Sequence, residues 1–233
     1  MESEYKKEVE RRKSSELSNF CCILCSRDDQ KYYGISECSH MFCYLCSLRM
    51  RWVLKKPICP LCKMNMGILF IVQEKDANYE VLLNNKDKMI KYPTDSVYYY
   101  NKNTEIVIDN LISYICQNSK CFLNCTNLSE LEKHLRDFHN RFFCQFCLKT
   151  KMLFITEHTT YSFSELQNHF ENGDKNIGGD IKWHPKCSFC KQRFYDEYHL
   201  LSHLSKIHMN CHLCGENKKY IFYNDYEDLV NLN

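Results

Sequence analysis

Between residues 22 and 62 the chain places Cys22, Cys25, Cys38, His40, Cys43, Cys46, Cys59 and Cys62, with two, twelve, one, two, two, twelve and two residues between successive members. Zn²⁺ takes four soft or borderline donors in a tetrahedron, so eight donors in paired knuckles predict two metal sites. The whole chain holds 17 Cys and 10 His in 233 residues, which points to several small metal-built modules rather than one large core. A disulfide framework is the competing reading. It fits poorly, because Met1 is followed by Glu2, Ser3, Glu4 and Tyr5 with no apolar signal segment, and an odd cysteine count leaves one thiol over. A reducing, cytoplasmic setting is therefore expected. No apolar run approaches the roughly 20 residues needed to cross a bilayer, so no membrane partner is expected. A formal net charge of +2 gives no strong field for phosphates, so any nucleic-acid contact must come from local patches.

A Cys-x-His in the second pair of knuckles resembles the RING pattern. In that pattern the pairs interleave, which implies Cys22, Cys25, Cys43 and Cys46 on one ion and Cys38, His40, Cys59 and Cys62 on the other. Such a cross-brace is expected to stand in for a hydrophobic core. In RING ubiquitin ligases an aliphatic residue before the second ligand, an apolar residue a turn after the sixth and a proline after the seventh form a shallow groove for the ubiquitin-conjugating enzyme. The corresponding positions are Leu24, Met50 and Pro60. Lys63, directly after the eighth ligand, resembles the linchpin cation that contacts both ubiquitin and the conjugating enzyme. The resemblance implies no nucleophile on the chain, since a RING works by holding the charged conjugating enzyme in an attack-ready arrangement.

The fold class expected is a set of small zinc-stabilised α+β modules: a cross-brace RING, an α/β connector, and tandem zinc fingers of C2H2/LIM-like type. Residues 1–20 mix basic and acidic side chains and read as a flexible charged arm, and 21–66 as the RING. Residues 67–115 form the connector. Ile68 to Val72 and Val97 to Tyr100 are β-prone, and Ile106, Ile108, Leu111, Ile112 and Ile115 fall roughly on one helical face.

The first finger, 116–140, carries Cys116, Cys121, His134 and His139, with Leu128, Leu131 and Leu135 packing on the metal. The second, 141–186, joins Cys144 and Cys147 to His169 and His184 at unusually long spacing, with Phe154, Tyr161, Phe163 and Leu166 between. The third, 187–209, holds Cys187, Cys190, His203 and His208, with Phe194 and Leu200 as packing residues. Residues 210–233 open a fourth knuckle at Cys211 and Cys214 and leave it incomplete, with His212 or His158 as possible donors. Cys21 and Cys125 are bystanders in this reading. The expected cofactor is Zn²⁺, two in the RING and about three in the fingers.

The order of these parts, with the segments Cys38-Ser39-His40-Met41-Phe42-Cys43-Tyr44-Leu45-Cys46, Phe143-Cys144-Gln145-Phe146-Cys147 and His184-Pro185-Lys186-Cys187-Ser188-Phe189-Cys190, resembles the RING and zinc-finger ubiquitin ligases that sense collided ribosomes. That resemblance spans roughly residues 20 to 230. It implies a RING-type ligase that transfers ubiquitin to lysines of small-subunit ribosomal proteins, with a conjugating enzyme, ubiquitin and the small subunit including ribosomal RNA as partners. The family usually completes the fourth finger and continues into a long tail, whereas this chain ends at Asn233. Two alternatives are a non-catalytic zinc-finger adaptor and a nucleic-acid-binding protein. Sequence-specific DNA reading is disfavoured, because the base-reading positions of the third finger are Asp196, His199 and Ser202 and an aspartate leads that face. Structured RNA is compatible with Lys133, Arg136, Arg141, Lys149 and Lys151.

Overall fold

The apolar run Leu69–Val72 is buried at every position, as a strand covered on both faces must be, and it sits at the centre of a sheet. The computed structural model describes residues 20–118, 120–174, 183–210 and 222–223, and the chain divides into two compact units, Met1–Leu111 and Ile112–Asn233. Most of the 1–20 arm, and Cys211, His212 and Cys214 of the fourth knuckle, lie outside the described residues.

In the first unit, strands β1 (Tyr33–Ile35) and β2 (Met41–Cys43) lead into helix α1 (Tyr44–Leu48), which continues as a wider π turn over Arg49–Val53. Then come β3 (Leu69–Val72), α2 (Tyr79–Asn84), β4 (Ile90–Lys91), β5 (Val97–Tyr99) and α3 (Lys102–Ile112). The strands form one sheet in the order β2-β1-β3-β5-β4. Only β3 and β5 run parallel, with Phe70 opposite Tyr98, and β1 joins β3 antiparallel with Gly34 opposite Ile71. Strands from residues 21–66 and from 67–115 thus belong to the same sheet, across the boundary drawn at residue 66.

That sheet overturns the expectation that metal replaces a core. Tyr33, Ile35, Phe70, Val72, Tyr79, Leu82 and Met89 form a buried cluster, with Phe20 and Tyr98 packed against it. The long intervals between ligand pairs supply Tyr33 and Ile35, and the connector supplies the rest. Each large apolar side chain buried this fully contributes about 1.5–3 kcal/mol. A second correction concerns α3. It buries Thr104, Ile108 and Leu111, while Ile106 and Ile112 are exposed and Ile115 leaves the helix for a strand. The helix ends at Ile112, so Ile115 cannot share its face.

Side chains also fasten the π turn to the connector. The Arg51 guanidinium donates to the Met66 and Gly67 carbonyls and pairs with Asp95 at 2.8 Å, while the Trp52 indole donates to the same carboxylate at 2.7 Å.

The second unit is a series of short hairpins and helices. Strand β6 (Tyr114–Ile115) pairs with β7 (Asn124–Cys125) before α4 (Leu128–His139), and β8 (Phe142–Phe143) pairs with β9 (Thr160–Tyr161) around α5 (Gln145–Thr150) and before α6 (Phe163–Asn172). Helix α7 (Glu197–Ile207) is followed by β10 (Met209–Asn210), paired with β11 (Phe222–Tyr223). The helix starts are capped by Asn127, Ser162 and Asp196, each accepting from the backbone N–H three residues on. Leu131 and Leu135 are buried with Cys116, Cys125 and Phe143, so the first residues of the second finger complete the core of the first. Phe163 is exposed as the first residue of α6, whereas Phe154 and Tyr161 are buried.

Gly34 is required at its place in β1, because a Cβ there falls 2.3 Å from Ser47 Oγ and 2.5 Å from Ser47 Cβ. Gly34→Ala is expected to destabilise the first unit by about 1–3 kcal/mol or more, read as a lowered midpoint in chemical denaturation of the zinc-loaded chain.

Candidate metal centres and conjugating-enzyme groove

Among the described residues the structure gathers five groups of donor atoms, those of each group lying within 4.8 Å of one another: Cys22, Cys25, Cys43 and Cys46; Cys38, His40, Cys59 and Cys62; Cys116, Cys121, His134 and His139; Cys144, Cys147, His169 and His184; Cys187, Cys190, His203 and His208. These are the same quartets that the sequence predicts, and the first two interleave along the chain.

Distances within the groups have the size of tetrahedron edges. Zinc bonds of about 2.3 Å to sulfur and about 2.0–2.1 Å to nitrogen give edges of about 3.8 Å between sulfurs, about 3.5 Å between sulfur and nitrogen, and about 3.4 Å between nitrogens. Cys25 and Cys43 sulfurs are 3.7 Å apart. Sulfur–nitrogen separations are 3.2 Å for Cys121–His134, 3.2 Å for Cys144–His184, 3.4 Å for Cys147–His169, 3.3 Å for Cys187–His208 and 3.4 Å for Cys190–His203. His134 and His139 nitrogens stand 3.2 Å apart, and those of His169 and His184 3.1 Å. His40 turns Nδ1 toward Cys59 at 3.7 Å, whereas the finger histidines present Nε2. The donor sets therefore fit Zn²⁺.

Local backbone geometry makes these groups. In three knuckles the residue after the second cysteine takes a left-handed conformation: Ser26 at φ 55°, Lys63 at φ 65° and Lys191 at φ 62°. Each sends its N–H to the carbonyl of the first cysteine, at 2.7, 2.9 and 3.0 Å, and the first cysteine's own N–H returns to Arg27, Met64 and Gln192. Left-handed backbone costs a non-glycine residue about 1–2 kcal/mol, which the shared metal offsets.

Electrostatics point the same way. In the first group hydrogen bonding from Cys46 pushes Cys43 down to about 5, while hydrogen bonding with Cys43 pushes Cys46 up. In the fourth, hydrogen bonding from Cys147 pulls Cys144 down to about 2, and Cys147 rises. Without a cation one sulfur takes the charge and its neighbour keeps its proton; only a cation lets all of them be anionic together.

Outer contacts orient the rings. Asp174 Oδ1 lies 2.9 Å from His169 Nδ1, and the Tyr195 carbonyl oxygen lies 2.7 Å from His184 Nδ1. Each acceptor holds the Nδ1–H tautomer and leaves the Nε2 lone pair for metal. Tyr161 stacks on His169 at 4.7 Å, Phe138 on His134 at 5.2 Å, and Phe194 lies over His203 at 4.4 Å. Asp174 and Tyr195 were not singled out by sequence reasoning. An Asp five residues after a ligand histidine is the signal that could have found the first; the second acts through a carbonyl and has none.

The groove positions differ in access. Leu24 is 40% exposed and Pro60 partly so, but Met50 is 8% exposed and offers little surface. Ile23 and Leu61, one in each knuckle and not foreseen, are 65% and 48% exposed. Lys63 is exposed and its Nζ donates to the Pro60 carbonyl at 2.8 Å.

Other expected positions are engaged internally. Asp196 caps α7, accepting from the His199 N–H at 2.8 Å, and lies 2.6 Å from the His199 ring, so this pair takes up two of the three base-reading positions. Arg141 pairs with Glu165 at 2.8 Å and donates to the Thr160 carbonyl, and Arg136 pairs with Asp137 at 3.2 Å. Lys133 and Lys149 are exposed and Lys151 partly so. His158 is buried beside the fourth group, sharing a cavity of about 70 Å³ with Cys144, Cys147, Lys151 and Tyr161, and its pKa is lowered first by burial and then by Lys151. Cys21 is exposed and Cys125 buried, and among the described residues neither belongs to a group. Among the described residues no helix is long and apolar enough to cross a membrane.

Replacing Asp174 with Ala frees the His169 ring, and the fourth site is expected to bind zinc about 10–100-fold more weakly, measured by competition with a chromogenic chelator while alkylation of Cys144 and Cys147 is followed by mass spectrometry.

Comparison with known proteins matches residues 17–106 to the family described as the ZNF598 RING finger domain, a span that takes in all five strands of the shared sheet. Over 202 residues, 84% of this chain and 27% of its relative, the sequence is 29% identical to E3 ubiquitin-protein ligase hel2 of Schizosaccharomyces pombe. It is 28% identical to E3 ubiquitin-protein ligase ZNF598 of Danio rerio over 97% of this chain and 22% of that protein, and 27% identical to E3 ubiquitin-protein ligase HEL2 of Saccharomyces cerevisiae over 85% and 30%. The chain thus spans about a quarter of the length of these relatives. Residues 17–106 thus match a RING of the ZNF598 type, and similarity to the ZNF598 and Hel2 ligases continues collinearly through the finger region.

Proposed function

We propose that the chain is a RING-type E3 ubiquitin-protein ligase acting on ribosomes. The observation that carries this reading is the ZNF598-type RING itself: two interleaved donor quartets of tetrahedral size, with Leu24 and Pro60 exposed on the knuckles beside them. The quartets take five Zn²⁺, two in the RING and three in the fingers. Zinc here supplies structure, fixing the knuckles so that the surface between them keeps one shape.

Leu24, Pro60 and the exposed edge of Met50 form the groove for a ubiquitin-conjugating enzyme, extended by Ile23 and Leu61. Lys63 turns from the Pro60 carbonyl to reach both ubiquitin and the conjugating enzyme. The attacking group is a substrate lysine amine; it displaces the conjugating-enzyme thiolate from the ubiquitin thioester and forms an isopeptide bond. The RING accelerates this step by restricting the flexible ubiquitin to reactive geometries. Lysines of small-subunit ribosomal proteins on stalled, collided ribosomes are the substrates, and the setting is cytoplasmic. Support for the ribosomal part comes from the family, together with a third finger whose base-reading positions Asp196 and His199 are occupied with each other.

The test is ubiquitin transfer by the purified zinc-loaded chain offered equal amounts of single ribosomes and nuclease-resistant collided pairs. Preferential labelling of small-subunit proteins in collided pairs is expected, and Leu24→Ala is expected to lower transfer at least about tenfold with zinc content unchanged, since truncating a central apolar anchor costs about 2 kcal/mol. Self-labelling without ribosome preference keeps the ligase and removes the collision role. Absence of transfer with several conjugating enzymes leaves an adaptor.

A further inference from the structure

The second and third fingers are joined through one ligand. His184 belongs by sequence to the second finger and by chain position to the threshold of the third, two residues before Lys186. Its ring nitrogen Nδ1 is held by the Tyr195 carbonyl at 2.7 Å, and its own carbonyl accepts from Arg193 Nη1 at 2.9 Å. The same Arg193 nitrogen donates to the Phe170 carbonyl at 3.1 Å, its guanidinium lies 5.4 Å from the Phe170 ring centre, and Nη2 reaches Glu171 at 3.5 Å. Phe170 and Glu171 directly follow His169 on α6, so one side chain from the third finger grips the segments bearing both histidines of the second finger's site. Backbone bonds continue the seam: His184 N–H donates to the Phe170 carbonyl at 2.9 Å and Phe194 N–H to the Pro185 carbonyl at 2.9 Å. Lys186 and Arg193 form the bridge that opens the third finger, and the Arg193 side chain is 15% exposed.

Chain connectivity gives this seam a direction. The third site closes within Cys187 to His208, with 12 residues between its inner ligands. The second must hold Cys147 and His184, which are 37 positions apart, and closing a longer loop costs more entropy. A hairpin already fixed at Cys187 and Cys190 places His184 beside its partners and removes part of that cost.

From this seam we propose that the second and third finger sites form one coupled metal-binding pair, in which zinc at Cys187, Cys190, His203 and His208 positions His184, through Arg193 and the Tyr195 carbonyl, to complete the site at Cys144, Cys147 and His169. Arg193 is a positioning residue for a metal it does not touch. The inference is independent of ligase activity.

The experiment uses the full zinc-loaded chain, with alkylation rates of individual cysteines read by mass spectrometry under a fixed chelator concentration. In Cys190→Ser, which removes a third-site ligand, Cys144 and Cys147 are expected to lose protection about 10–100-fold although none of their own ligands has changed, while Cys116 and Cys121 change less and Cys59 does not change. Arg193→Ala is expected to expose Cys144 and Cys147 in the same way, with Arg193→Lys intermediate because it keeps the charge and loses the two-carbonyl grip. Protection of Cys144 and Cys147 at the parent level in both Cys190→Ser and Arg193→Ala overturns the proposal. Equal loss at all three fingers also overturns it, since that is general unfolding and not coupling of two sites.

Discussion

Four donor atoms held at tetrahedral edge length are the constraint on which the rest of this structure depends. Sulfurs 3.7 Å apart and imidazole nitrogens 3.1 Å apart repel when charged or dehydrated, and they stay together only around a cation. Five such groups fix where the chain must turn. The left-handed residues Ser26, Lys63 and Lys191 serve that requirement in three knuckles, whereas Cys46 and Cys147 meet it within short helices capped by Cys43 and Cys144.

Metal alone does not hold the first unit. Tyr33 and Ile35 come from the interval between the first and second ligand pairs, and Phe70, Val72, Tyr79 and Leu82 from beyond the last ligand, yet all share one core. The RING and the connector therefore pack as a single body, and the family match running from residue 17 to 106 covers the RING and most of the connector. Arg51, Trp52 and Asp95 tie the turn after α1 to the same connector, so the surface bearing Met50 is set from both sides. In the second unit the same logic recurs at smaller scale, with Phe143 of the second finger packed into the core of the first and Arg193 of the third gripping the second.

Function follows from rigidity more than from any reactive group. In the proposed ligase, a shallow apolar surface on two knuckles discriminates among conjugating enzymes only if the knuckles keep their spacing, and proximity catalysis needs that surface to be pre-organised. The fingers present capped helices and stacked histidines, with Lys133 and Lys149 exposed beside them. Asp196 is engaged with His199, and Arg141, a position compatible with structured RNA by sequence, with Glu165 and Thr160, so both side chains serve the fold.

Ligand identity was legible in the sequence because zinc chemistry leaves a local signature: cysteine pairs two or four residues apart and histidines at short intervals are what a tetrahedral ion demands of a chain. The strands at Leu69–Val72 and Val97–Tyr99, and the packing of Leu131 and Leu135, were legible for the same reason, being set by short-range apolar pattern. What only the tertiary structure decided is how distant segments complete one another. No periodicity announces that Tyr33 will meet Phe70, that Ile106 and Ile112 will face solvent while Ile108 is buried, or that Met50 will lie 8% exposed beside a Leu24 that is 40% exposed. Nor does spacing reveal that the Tyr195 carbonyl and the Arg193 guanidinium hold His184, since a backbone acceptor and a solitary arginine carry no motif. The local code fixes which atoms can bind metal; the arrangement that orients them comes from contacts between residues far apart in the chain.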